Sequence, residues 1–133
     1  MSLGHFEKVR DQLSQLGVDV VEENADATLF VVDDEDRGIK NLIIDCEDGL
    51  LVIEQVIFEL KQENMKTFKR LLQMNRELVH GAFALDDKGE KVMFRDTLQL
   101  KNLDLNELEA SINALGMGLA FFADELIEFS RSE

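Results

Sequence analysis

Three features of this sequence predict an α+β fold, with helices packed on one mainly antiparallel sheet. Short runs rich in Val, Ile, Leu and Phe recur between residues 18 and 58 and between 82 and 100, separated by turns built from Asp, Asn and Gly. Three other stretches place apolar residues at helical steps of three and four, near the start, the middle and the end of the chain. The resulting order is α-β-β-β-β-α-β-β-α, read as one domain over residues 1–133.

The first helix is expected over about residues 4–16, with Phe6, Val9, Leu13 and Leu16 on one face and Gly17 just past its end. Residues 18–23 and 28–32 read as strands around an Asn-Ala-Asp turn; the second is β-branched and aromatic. Asp33-Asp34-Glu35-Asp36-Arg37-Gly38 forms the next turn. Residues 39–46 and 50–58 make a hairpin through Glu47-Asp48-Gly49, whose Asp-Gly pair suits a tight turn. A second helix follows, from about residue 62 or 64 to 78. Met65, Phe68, Leu71, Leu72, Asn75 and Leu78 fall on one side of it, and Lys66, Lys69, Arg70 and Arg76 on the other. Residues 82–85 and 92–100 form another hairpin across Asp86-Asp87-Lys88-Gly89.

The last element is the most strongly marked. Leu105, Leu108, Ile112, Leu115, Leu119, Phe122, Leu126 and Phe129 form one helical stripe, so the spacing predicts a helix over residues 105–129, about seven turns long. Asp104 and Glu107 have the spacing of a capping box, and Leu103 with Leu108 that of a hydrophobic staple. From Ala114 to Ala123 no polar side chain occurs. Ala110, Ala114, Met117 and Phe121 lie roughly opposite the long stripe, and a helix apolar on both sides has to be covered on both sides. These four residues are therefore the candidate dimer or partner interface. Gly116 and Gly118 each cost about 1 kcal/mol relative to Ala inside a helix, which implies close backbone approach or a local break.

The charge balance narrows the function classes. A net charge of −14 repels phosphate backbones and anionic membranes, so neither nucleic acid nor a membrane is an expected partner. The absence of Trp and Tyr removes most stacking platforms for bases. Cys46 is the single cysteine, no basic-then-apolar leader is visible, and no apolar run approaches the length that spans a bilayer; a cytoplasmic location is expected. Between Asp19 and Asp36 there are eight acidic residues and no basic one, whereas the second helix and Lys61 hold five of the fourteen basic residues. Solvated faces explain such segregation; so does self-complementary pairing of the basic helix with an acidic surface, or docking of a basic partner segment.

No catalytic or metal constellation is found. A calcium loop beginning at Asp33 would need oxygen ligands where Arg37 and Ile44 stand. His5 and His80 have no ligand-spaced neighbours, and Cys46 alternates with Asp45 as a small buried core residue would. No catalytic triad, phosphate loop or dinucleotide fingerprint is present, so neither enzymatic activity nor a cofactor is expected.

Leu71-Leu72, then Asn75, then Gly81-Ala82-Phe83-Ala84-Leu85-Asp86, Gly89 and Leu103-Asp104-Leu105 form a series that resembles the type III secretion chaperone-like superfamily, and within it the bacterial YbjN-type proteins. The resemblance covers roughly residues 62–130, and the first half through element order. It implies a small acidic α+β protein that is a homodimer and not an enzyme. Secretion chaperones hold an extended segment of an effector along the hydrophobic surface of the helix–sheet layer. The expected function is thus a dimeric protein-binding module for a protein or peptide client, the alternative being an accessory subunit of one fixed partner.

Overall fold

A computed structural model of the chain describes residues 3–131. The elements are α1 (Leu3–Leu16), β1 (Asp19–Asn24), β2 (Leu29–Asp34), a 3-10 turn (Glu35–Arg37), β3 (Ile39–Glu47), β4 (Leu50–Glu59), α2 (Met65–Met74), β5 (Ala82–Leu85), β6 (Lys91–Gln99), α3 (Leu105–Phe121) and α4 (Ala123–Arg131). The six strands form one antiparallel sheet in the order β1-β2-β3-β4-β6-β5. Asp48 and Gly49 both take left-handed backbone angles at the β3–β4 turn, the geometry that matches the twist of the strands it joins.

Strand alternation divides the sheet into two unlike faces. Phe30, Val32, Leu42, Ile44, Leu51, Ile53 and Phe94 face the helices and are almost fully buried with Phe6, Val9 and Leu13 of α1 and Leu108, Ile112 and Leu115 of α3. A second cluster gathers Phe58, Phe83 and Val92 of the sheet beneath Leu71 and Met74 of α2 and Phe122 and Leu126. All the helical core residues fall in these two clusters, so the fold has two layers and the other face of the sheet is bare.

The helix expected over residues 105–129 is two helices. The chain turns by 70° at Phe122, whose φ of −102° and ψ of 13° leave the helical region. The apolar stripe passes through the break unchanged because both halves cover the same sheet. Residues up to Leu119 pack on the first cluster, and Phe122 and Leu126 on the second. Phe122 is driven in by this change of direction: it is buried, edge-on to Phe83, with the Arg70 guanidinium 5.7 Å from its ring centre.

The second helix also departs from expectation. It ends at Met74 and not near residue 78, and Met65 and Leu72 of its expected apolar side are exposed, while Thr67 and Met74 are buried. Asn75 explains the early end. Its side-chain oxygen accepts from the Phe83 N–H at 2.7 Å and its side-chain nitrogen donates to the Phe83 carbonyl at 3.2 Å. The amide thereby takes the hydrogen-bonding positions of Phe83 on the outer edge of β5 and anchors the end of α2 to the sheet.

The two glycines of α3 mark close approach and not a break, since the helix runs through both. A Cβ on Gly116 would lie 2.5 Å from the Arg37 carbonyl oxygen, and one on Gly118 would lie 2.8 Å from Leu78 Cδ2. Arg37 is itself held by Asp34 at 2.7 Å, so its backbone has little room to retreat. Alanine ordinarily favours a helix interior by about 1 kcal/mol over glycine. Gly116→Ala is expected to destabilise by about 1–3 kcal/mol because backbone must shift, whereas Gly118→Ala, which meets only a side-chain tip, stays close to neutral. Urea unfolding of both variants checks the difference.

Candidate interaction surface

The start of α3 is fixed as its capping box predicts. The Asp104 carboxylate accepts from the Glu107 N–H at 2.7 Å, and Glu107 accepts in return from the Asp104 N–H at 3.4 Å. Leu103 and Leu108 are both buried beside it. Midway, the buried Ser111 donates its hydroxyl to Asp96 of β6 at 2.6 Å. These contacts set the rotation of the helix, and that rotation turns the opposite side outward. Ala110 and Ala114 are half-buried, while Met117 is 70% exposed and Phe121 is 77% exposed.

All four candidate interface residues line one groove of about 400 Å³ between α3 and the segment linking α2 to β5. That segment supplies Leu78, which rests against Gly118, together with Val79 (83% exposed) and His80. The small side chains of Ala110 and Ala114 form the floor, and Met117, Phe121 and Val79 stand at its rim. Glu77, His80 and Asn113 are the polar groups around it. A surface of this kind, mostly apolar with a few polar groups at its edge, binds chiefly by apolar contact. The first helix does not fold over Phe121; its buried residues lie in the cluster around Phe30, with Phe6 stacked on that ring at 4.4 Å. The contribution of Val79 was not legible in the sequence, because it lies just past the expected end of the second helix at residue 78, in a segment given no element.

The attraction between the basic helix and the acidic end of the chain is partly satisfied internally. Arg70 Nε and Nη2 donate to the two carboxylate oxygens of Glu125 at 2.7 and 2.9 Å, a paired geometry that ties α2 to α4. Lys66 and Lys69 remain exposed on α2, and Arg76 just past its end. Asp86 caps its own hairpin turn by accepting from the N–H groups of Glu90 and Lys91, and these bonds hold its carboxyl below the usual range. Among the described residues, no three His, Cys, Asp or Glu side chains are grouped as metal ligands would be.

A model of the CesT_Tir_1 family, a type III secretion chaperone family, matches residues 2–132. The chain belongs to this family. The superfamily resemblance drawn from Asn75, the Gly81–Asp86 run and the start of α3 is therefore correct. In this chain Asn75 has a structural role, pairing with Phe83 on the edge strand β5. No curated protein matches the sequence. Among solved structures the chain is similar to YbjN, described as a putative transcription regulator from E. coli, at 15% identity and a TM-score of 0.66, covering 90% of this chain and 91% of that one. It is also similar to a chain of the ExoU–SpcU complex from the type III secretion system of Pseudomonas aeruginosa, at 20% identity and TM-score 0.63, over 91% and 96% of the two chains. A third likeness, to a chain of the HopA1–SchA chaperone–effector complex, has 12% identity and TM-score 0.59 over 99% of each chain. At these identities the likeness establishes the α+β fold. No single described helix is long and apolar enough to cross a membrane.

Cys46 illustrates how little of the core is chemically available. Burial, with the Asp45 carboxylate nearby, pushes its thiol up to about 11. Alkylation at pH 8 is expected to be at least about a hundredfold slower in the folded than in the unfolded protein, since only the thiolate reacts. The folded value lies above the unfolded one, so this group's stabilising contribution is complete below the ordinary thiol value and is lost as pH rises towards 11. Comparing urea titrations of wild type and Cys46→Ala across that interval checks the sign.

Proposed function

We propose that this chain is a non-enzymatic protein-binding module that works as a homodimer in the cytoplasm and holds an extended segment of a client protein, as a chaperone does. The observation that carries the reading is the unpartnered apolar side of α3, where Met117 and Phe121 stand exposed above Ala110 and Ala114. Membership of a secretion chaperone family supports it, as do similar structures described as complexes: HopA1–SchA, ExoU–SpcU and ExsC–ExsE. An accessory subunit of one fixed partner would differ in co-purifying with a single protein at constant stoichiometry.

The α3 groove is assigned to the second copy of the chain. Burying a Phe or Met side chain contributes about 1.5–3 kcal/mol, and a two-fold axis makes each contribution twice. The rival placement uses the exposed cations of α2; Arg70 is not its diagnostic residue, because it is engaged with Glu125. The two differ in their response to salt. Two copies of a −14 chain repel, so a dimer held by apolar contact tightens as salt screens that repulsion, while one held by α2 cations loosens. Sedimentation velocity is expected to show a wild-type dimer that strengthens with salt, a Phe121→Glu monomer and a dimeric Phe121→Leu. A monomeric wild type at high concentration, or loss of the dimer in Lys69→Glu with retention in Phe121→Glu, overturns the assignment.

A further inference from the structure

The face of the sheet turned away from the helices is neither a covered core nor an ordinary polar surface. Its middle is apolar. Val31 pairs with Ile43, and Val56 pairs with Met93, all outside the two buried clusters, with Ile43 39% and Val56 47% exposed. Val52 is only 9% exposed yet belongs to neither cluster, so its neighbours on the bare face, Asp45 and Thr97, cover it. Around this centre the same face carries Asp19, Glu22, Asp45 and Glu47, none with an ion-pair partner among the described residues. Of the cations on this face, Arg95 is held by Glu54 across the β4–β6 pair, and Lys91 sits opposite Glu59. Burial and the neighbouring Glu47 push the Asp45 carboxyl up, the response of an acid short of cations.

We propose that this open face docks a basic amphipathic segment of a partner protein, with apolar side chains over Ile43 and Val56 and cationic ones meeting Asp45, Glu47 and Glu22. The inference rests on the protein-binding reading and names the chemistry of the client. Charge excludes the other occupants. A second copy placed by a two-fold axis would set these carboxylates against themselves, and an anionic membrane or nucleic acid is repelled. A basic segment neutralises the unpaired acids and removes the exposed aliphatic centre from water, so both halves of the surface favour the same partner.

The test uses the full chain and two synthetic peptides, one alternating leucine with lysine and one alternating leucine with glutamate, followed by fluorescence anisotropy at physiological salt. The lysine peptide is expected to bind and the glutamate peptide to fail. Ile43→Ser with Val56→Ser removes the apolar centre at positions already partly exposed, and should weaken the lysine peptide by about tenfold. Asp45→Asn with Glu47→Gln should weaken it by a similar factor. Glu35→Gln with Asp36→Asn removes the same charge from the 3-10 turn and should leave affinity within about twofold. Equal weakening by that control pair would show non-specific charge attraction and overturn the proposal. Loss of binding in Phe121→Glu with no effect of the sheet variants would move the segment to the α3 groove, overturning the site while the protein-binding function stands. Dissociation of the wild-type dimer by the sheet variants would make this face a contact between copies, and overturn it as well.

Discussion

The depth at which α3 lies on the sheet is the constraint on which the rest of the structure depends. Two missing β-carbons set it. At Gly116 the Arg37 carbonyl comes within the space a methyl would need, and at Gly118 Leu78 does the same from the other side. Close packing on these two sides lets Leu108, Ile112 and Leu115 reach the centre of the sheet, where they are completely buried. The same approach brings residues 77–80 against the helix and shapes the groove at Ala114 and Met117. A glycine pair that looks unfavourable by helix propensity alone is thus the condition for both the core and the candidate surface.

The fold class, the order of the main elements and both hairpins could be read from periodicity and turn chemistry, because each is encoded over a few neighbouring residues. The α3–α4 break could not. Leu119, Phe122 and Leu126 keep the same spacing across it, and only the presence of two clusters under one sheet shows that the direction changes. The end of α2 was hidden for a similar reason. Asn75 and Leu78 continue a helical pattern, while the bond that stops the helix is made to Phe83, eight residues on from Asn75 and in another element.

The candidate groove was legible in part. Ala110, Ala114, Met117 and Phe121 were separable from the core stripe by helical projection, and the structure brings them to one surface. Val79 was not, since its role depends on where a connecting segment comes to rest. The bare face of the sheet was less legible still. Ile43 and Val56 look like core residues in a strand-rich sequence, and only the location of every helix on the opposite side shows that they are not.

Asn75 also settles how the sheet relates to other sheets. An unblocked strand at each end would give the protein a head and a tail, and copies could queue edge to edge without limit. With the Phe83 position of the β5 edge taken by an amide that imitates a neighbouring strand, a chain adding there would have to displace it, and the β1 edge is the easier one to extend. Growth through one favoured edge closes after one step, because a second copy arriving by the same edge presents its own hindered end. One side chain thereby biases any strand-added assembly of this protein towards a finite one.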